Sequence, residues 1–151
     1  MELENSIVRS VDITAPISKV WDAIADHKKF GAWFKCVVDE PFVEGGVCTC
    51  RSTYHEHEEL VWQKRIKRIQ PETYFAYVWS AGDTGADMFD PEAPRTLVEF
   101  TLTATDAGTR LQIHESGFAE LPEDMALRAF RLNNGGWDSQ VNNIQAFFAD
   151  A

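Results

Sequence analysis

Glu115 is the residue whose position most strongly suggests acid–base or ligand-binding chemistry. It follows Leu111 and Ile113 at two-residue spacing in RLQIHESGF, so strand alternation directs all three to one apolar face. A carboxylate in an apolar cavity has a raised pKa unless it is paired, and it could act as a general acid or base or hold a polar group of a ligand. The alternative, which the sequence favours, is a side chain at the strand end that is solvated or paired with Arg128 or Arg131.

Two histidines in YHEHEE, His55 and His57, share one strand face and could chelate a metal ion. No third ligand at a suitable spacing is evident. Alternation also places the pair opposite Cys48 and Cys50, on the outer face, where a solvated pair is the simpler interpretation. His114 is expected at the surface for the same reason, and we predict no metal and no cofactor.

The three cysteines, Cys36, Cys48 and Cys50, form no CxxC pair, and their odd number leaves at least one outside any internal disulfide. Cys48 and Cys50 would lie on one strand face about 7 Å apart, too far to bridge comfortably. We therefore expect reduced thiols that line a cavity as small apolar groups. Metal or redox chemistry is the alternative.

Nucleophilic catalysis has no support in the sequence. Ser116 and Ser139 lie in no Gly-x-Ser-x-Gly elbow, and the HESG segment is not that motif. The sequence therefore favours a protein that is not an enzyme, with Glu115 as the one catalytic candidate.

Tandem glycines, Gly135 and Gly136, interrupt what is otherwise a helical pattern, and each costs a helix interior about 1 kcal/mol relative to alanine. They could leave space for a ligand above the floor of a cavity. The sequence slightly favours close helix–sheet packing or a kink. The apolar helical face that follows them consists of Trp137, Val141, Ile144 and Phe148.

The elements that must position these residues begin with a strand over 7–13 and a helix that starts near Pro16. Gly31 is expected to break that helical run, so that a short second helix follows. From there to residue 116 the pattern predicts about six strands. They include one hairpin around the turn in PFVEGGVCTC, a second around Gln-Pro-Glu-Thr and a third around Asp-Ala-Gly.

The acidic segment 80–94, rich in Gly and Pro, is too long for a tight hairpin and is expected to be a mobile loop. After Pro122 a helical pattern of about 27 residues, about 40 Å, runs to the C-terminus. The chain is predicted to be one α+β domain spanning 1–151, in which a curved antiparallel sheet of about seven strands wraps around a long C-terminal helix. One helix cannot seal such a sheet completely, so a pocket between them is expected.

Composition narrows the classes of partner. The 151 residues carry a formal net charge of −10 and are 44% hydrophobic. Nucleic acid and anionic membrane surfaces would repel such a chain. No run approaches the about 20 apolar residues of a membrane span, and MELENSIVRS is not a secretory signal, so we expect a cytoplasmic protein.

Several segments in order resemble the START-like (SRPBCC, helix-grip) superfamily, in the branch similar to the C-terminal domain of the Aha-type activator of the heat-shock-90 ATPase. They are IVRSVDITAPISKVWDAIADHKKFGAWF, EGGVCTC, the strand that ends in Trp79, APRTLVEFTLTATDAGTRLQIHESGF and NNGGWDSQVNNI. The resemblance covers nearly the whole chain and implies the helix-grip fold. Members of the superfamily include lipid carriers, hormone binders, polyketide cyclases and aromatases, and chaperone activators.

Three functions follow as hypotheses. The first is binding of a small apolar or aromatic molecule between the sheet and the C-terminal helix. The second is a cyclase- or aromatase-like enzyme that uses Glu115, and the third is a co-chaperone module that contacts a protein partner through its acidic surface or segment 80–94. For the first we predict a ligand-binding set of Trp33, Cys48, Cys50, Tyr77, Trp79, Glu115, Arg131, Asn134, Gly135, Gly136 and Trp137.

Overall fold

The computed structural model describes residues 5–54, 60–81 and 87–149. These residues form seven strands, three α-helices and a one-turn 3-10 helix at Phe118–Glu120. In chain order the elements are β1 (Ser6–Ile13), α1 (Ile17–Ala25), α2 (His27–Phe34), β2 (Cys36–Val38), β3 (Val47–Ser52), β4 (Val61–Gln70), β5 (Tyr74–Ser80), β6 (Arg95–Thr105), β7 (Gly108–Ser116) and α3 (Glu123–Ala149).

The strands form one antiparallel sheet in the order β1-β7-β6-β5-β4-β3-β2. The sheet curls into a half-barrel, and α3 lies in its concave side, which confirms the predicted α+β helix-grip fold. Because α3 is 27 residues long, it extends about 40 Å along that side.

The β6–β7 hairpin shows why alternation was informative. Val98 pairs with Glu115 and Phe100 with Ile113, so the inward-facing residues of the two strands lie side by side as predicted. The β4–β5 turn is also where the sequence placed it, and Glu72 adopts the left-handed conformation there with φ of 63°.

The boundary between the first two helices differs from the prediction. It falls at Asp26, whose Oδ2 accepts a hydrogen bond from the Lys29 backbone N–H at 2.9 Å and so caps α2. Gly31 lies inside α2 and does not break it. A Cβ at this position would lie 2.4 Å from the Cys36 carbonyl oxygen, so the glycine permits close packing of α2 against β2.

The first predicted hairpin is also wrong in its first arm. Residues 41–43 form no strand, and β3 pairs instead with β2, with Val38 opposite Cys50. The Gly-Gly turn docks on β4, because the Gly45 N–H donates to the Ile66 carbonyl at 2.8 Å and the Ile66 N–H donates to the Gly46 carbonyl at 2.9 Å.

The described part of the acidic segment, 87–94, packs against the outer face of the sheet rather than extending freely. Met88 is completely buried. Its backbone N–H donates to Gln63 Oε1 at 2.9 Å, and its carbonyl accepts from Arg65 Nε at 3.1 Å. Two long polar side chains of β4 thus hold a segment that was expected to be mobile; residues 82–86 lie outside the described chain.

The core also contains an unexpected buried lysine. Lys64 is 1% exposed, and its Nζ lies 3.6 Å from the Phe30 ring centroid and 4.2 Å from that of Tyr77. Burial lowers the pKa of this lysine. The three free, buried thiols lie beside it on the neighbouring strands: Cys48, opposite Lys64, and Cys50 on β3, and Cys36 on β2.

Candidate functional site

A cavity of about 470 Å³ lies between the middle of α3 and the sheet. This volume is within the range of about 300–1,000 Å³ that small-molecule sites occupy. Its walls come from the end of α2, the segments around Tyr54 and the start of β4, the end of β5, and α3. The lining residues are Phe34, Tyr54, Leu60, Val61, Trp62, Trp79, Ser80, Leu132, Asn133, Gly135, Gly136, Trp137, Ser139 and Gln140.

Aromatic rings make up the deeper wall. Trp79 and Trp137 are stacked, with ring centroids 5.7 Å apart and an interplanar angle of 30°. Phe34 makes T-shaped contacts with Trp79 and Trp137, at centroid distances of 6.2 and 6.1 Å, and its ring centroid lies 6.2 Å from that of Trp62. These rings brace one another, so the wall is preformed.

The glycine pair faces open space. A Cβ built on Gly135 or Gly136 would meet no atom within 4 Å, apart from the adjoining backbone of the helix itself. The α-helix α3 runs continuously through both residues. Close helix–sheet packing is therefore the wrong explanation for these glycines, and both residues line the cavity.

Glu115 lies directly behind the aromatic wall and is 0% exposed. Its Oε1 accepts from Trp137 Nε1 at 2.8 Å, and its Oε2 accepts from Trp79 Nε1 at 2.9 Å and from Thr96 Oγ1 at 2.6 Å. Asn133 Nδ2 donates to both oxygens, at 3.1 and 2.9 Å. A solvated strand-end position for Glu115 is thus wrong: three residues of the cavity wall are fastened to its carboxylate.

Two opposing effects act on the pKa of Glu115. Burial raises the pKa of Glu115, and the hydrogen bonds from Thr96, Trp137, Trp79 and Asn133 oppose that rise. The two indole N–H groups can only donate, so they fit the ionised, acceptor-only form of the carboxylate. Burial raises the pKa of Tyr77 well above its usual value, and the charge of Glu115 adds to this rise.

The mouth of the cavity is apolar and exposed. Tyr54, Leu60, Val61 and Leu132 are 38%, 45%, 51% and 53% exposed, respectively. Large apolar side chains that remain in water around a concave opening are typical of a binding site.

Polar side chains of α3 hold this mouth in place. Gln140 Nε2 donates to the Phe34 carbonyl at 2.9 Å, and Asn143 Nδ2 donates to the Tyr54 hydroxyl at 2.7 Å. Two wall residues carry polar atoms that have no hydrogen-bond partner in the described chain, Trp62 Nε1 and Ser80 Oγ. Buried polar atoms are rarely left unpaired, so these two mark the unsatisfied polar positions of the cavity wall.

The predicted ligand-binding residues separate into those that line the cavity and those that do not. Trp79, Gly135, Gly136 and Trp137 line it, and Glu115 lies behind it. The remaining predicted residues lie elsewhere, namely Trp33, Cys48, Cys50 and Tyr77 in the core, and Arg131 and Asn134 on the exposed side of α3.

Two of these displaced residues have specific structural partners. Trp33 Nε1 donates to the Ala23 carbonyl at 2.8 Å and so ties α2 to α1. Asn134 accepts from Arg9 through its Oδ1 at 2.8 Å and its carbonyl at 3.0 Å, and Asp138 accepts from Arg9 Nε at 2.8 Å. Arg9 thus fastens α3 to β1, away from the cavity.

No group of three or more potential metal ligands occurs within the described residues. The histidine pair His55 and His57 lies outside them. His114 is partly exposed, with its Nδ1 3.4 Å from Glu99 Oε1. No helix in the described part of the chain is both long enough and apolar enough to span a bilayer.

Sequence reasoning missed several residues of the site. Trp62 could have been found, because VWQKRI places it on the same strand face as Lys64 and Ile66, both of which are buried. Thr96 and Asn133 had no comparable signal, since only the tertiary structure brings them to Glu115.

Comparison with known proteins agrees with this geometry. Residues 14–149 match the family model described as "Activator of Hsp90 ATPase homolog 1-like protein". No curated protein is significantly similar to the chain.

Solved structures share the fold at low sequence identity. Protein MLL2253 from Mesorhizobium loti is 22% identical, with a TM-score of 0.76 over 97% of this chain and 98% of that one. A protein from Arthrobacter aurescens is 16% identical, with a TM-score of 0.79 over 97% and 87% of the two chains. DynU16, "a putative protein in the dynemicin biosynthetic locus", is 18% identical, with a TM-score of 0.69 over 95% of this chain and 47% of that one.

Proposed function

Since the chain belongs to the family of Activator of Hsp90 ATPase homolog 1-like proteins, we propose that it binds a small apolar or aromatic molecule in the cavity between its sheet and its C-terminal helix. The observation that carries this proposal is the cavity of about 470 Å³ with a preformed aromatic wall. The glycine pair supports it, because a helix interior gains nothing locally from two glycines that face open space.

The polar groups of the wall give the ligand one expected feature. Trp62 Nε1 is a donor, and Ser80 Oγ can donate or accept; both lack partners in the described structure. Ser80 is itself only 4% exposed. A mainly apolar ligand with one polar atom would pair with one or both of these groups and leave the rest of its surface to the rings and aliphatic side chains.

Glu115 has a structural role in this proposal. Its two oxygens accept from four side chains, three of which, Trp79, Asn133 and Trp137, form the wall. The carboxylate therefore fixes the orientation of both indoles and thus the shape of the cavity.

The first experiment is native mass spectrometry of freshly purified protein beside its denatured spectrum, together with titration of the neutral fluorescent probe N-phenyl-1-naphthylamine. We expect either a reproducible adduct that is released on denaturation, or saturable 1:1 probe binding. Gly136→Leu should weaken binding of both the adduct and the probe at least about tenfold, while Gly136→Ala should retain it. A wild-type protein without adduct or probe binding would contradict the proposal and favour a protein partner.

The alternative is an enzyme of the cyclase or aromatase kind, in which Glu115 transfers a proton. The raised pKa of Glu115 and its place behind the cavity favour this alternative, as does the shared fold of DynU16 from a biosynthetic locus. Proton transfer would require a ligand to displace Asn133 or Thr96 from the carboxylate. Glu115→Gln would then bind the ligand without converting it, whereas conversion by this variant would exclude the role.

A further inference from the structure

The cavity wall has a definite electrostatic character. Among the described residues that line it, none carries a formal charge, and five are aromatic: Phe34, Tyr54, Trp62, Trp79 and Trp137. The faces of aromatic rings carry negative potential, and indole attracts cations most strongly. Several such rings around one space are typical of sites that recognise organic ammonium ions.

A carboxylate strengthens this potential from behind. The N–H groups of Trp79 and Trp137 both point away from the cavity, toward Glu115, at 2.9 and 2.8 Å. The positive ends of the two indole dipoles therefore face the Glu115 carboxylate and not the cavity. The four donors to this carboxylate that the structure describes are neutral groups, so they stabilise its charge without cancelling it.

The Glu115 carboxylate lies behind the indoles of Trp79 and Trp137 and has no solvent exposure. Charges interact strongly in such surroundings because solvent screening is weak. Burial raises the pKa of Glu115, and the four donated hydrogen bonds oppose that rise by stabilising the ionised form. The net charge of −10 adds long-range attraction for a positive ligand and repulsion for a negative one.

We infer that the ligand of this cavity is a hydrophobic organic cation, an aryl- or alkylammonium whose charged group lies against Trp79 and Trp137 and in front of Glu115. This inference rests on the proposed function and narrows it from apolar molecules in general to one charge class. The remaining apolar part of the ligand would lie toward the mouth, against Leu60, Val61 and Leu132.

The test compares two probes of nearly equal shape, benzyltrimethylammonium and its uncharged carbon isostere neopentylbenzene, with phenylacetate as the anionic comparison. Binding to the wild-type protein is followed by tryptophan fluorescence at about 0.15 M salt, where attraction between distant exposed charges is largely screened. We expect the cation to bind at least about tenfold more tightly than its neutral isostere, and the anion to bind more weakly than either.

Two variants locate the source of the selectivity. Glu115→Gln should reduce the cation-to-isostere ratio at least about threefold. The matched control, Glu123→Gln, removes the same charge from an exposed position in the first turn of α3 and should leave the ratio unchanged. If Glu115→Gln does not fold, the ratio measured on the wild-type protein still decides.

Equal or tighter binding of neopentylbenzene by the wild-type protein would overturn the inference while supporting the proposed function. A cation preference that falls equally in both variants would also overturn it, because bulk charge would then be its source. If neither probe binds but N-phenyl-1-naphthylamine does, the cavity binds apolar molecules and the charge class assigned here is wrong.

Discussion

Gly136 offers the most direct test of the cavity, because stability and binding should respond to its substitution in opposite directions. Its Cβ position is open, and it lies inside a continuous helix. Alanine at this position should therefore stabilise the protein by about 1 kcal/mol through helix propensity alone. For a domain of about 150 residues this corresponds to a rise in the melting temperature of about 2–4 °C.

Leucine at the same position should retain that gain and also fill part of the cavity of about 470 Å³. Its side chain would occupy open space beside the cavity lining and cover apolar surface, so we expect a total gain of about 1–2 kcal/mol. Ligand binding should show the reverse. Gly136→Leu should weaken N-phenyl-1-naphthylamine binding at least about tenfold, whereas Gly136→Ala should change it by less than about threefold.

The assays are urea unfolding followed by far-UV circular dichroism for stability and fluorescence titration for binding, on the same protein preparations. A destabilised Gly136→Ala would contradict an open helix interior at this position. Wild-type affinity in a well-folded Gly136→Leu would refute the placement of the ligand beneath the glycine pair. Gly135→Ala and Gly135→Leu repeat the test one residue away, where the Cβ also meets open space.

Three further predictions concern the buried polar groups. Thr96→Val removes the 2.6 Å hydrogen bond to Glu115 and should cost about 1.5–3 kcal/mol at pH 7, and less below pH 4.5, where the carboxyl is neutral. The pKa of Glu115 is higher in the folded protein than its value of 4.5 in the unfolded chain. Protonation of Glu115 therefore contributes stability that is fully present below pH 4.5 and is lost as the pH rises through the folded-state pKa. Relative to Glu115→Gln, the wild-type protein should therefore become less stable from pH 4.5 upward. Lys64→Met should stabilise the protein by about 1 kcal/mol or more at pH 7, because it removes a charge from an apolar core, and this advantage should shrink as the pH approaches 10.5.

All three are measured by urea unfolding across pH. Thr96→Ser, which keeps the hydroxyl, is the control for Thr96→Val. A flat stability difference between wild-type protein and Glu115→Gln from pH 4.5 to 8 would refute the raised pKa of Glu115. A destabilised Lys64→Met would mean that the contacts of Lys64 with Phe30 and Tyr77 outweigh the cost of burying its charge.

Much of the fold could be predicted from local patterns. Side chains alternate along a strand whatever surrounds it, so IVRSVDI and RLQIHESGF indicated which residues face the core, including Glu115. The apolar residues that recur at helical spacing after Gly136 likewise indicated α3. Together with the order of the segments, these patterns were sufficient for an α+β helix-grip domain.

Alternation identifies the face on which a side chain lies, but not what covers that face. Tyr77 and Trp79 point the same way from β5, yet α2 and its neighbours bury Tyr77 while Trp79 meets the cavity. The separation of α3 from each part of the curved sheet decides between core and cavity, and no local pattern encodes that distance. Trp33 and the cysteine pair were assigned to the ligand site for lack of this information.

Local sequence patterns were enough to predict most of the elements and their inward faces, and they drew attention to two glycines and a carboxylate that needed an explanation. Their combined role depends on how the sheet and α3 pack together. The four donors to Glu115 come from β5, β6 and two turns of α3, up to 36 positions away in the chain. Hydrogen bonds form between atoms that are close in space, and that closeness arises when the sheet curls around α3, so the site is a property of the fold.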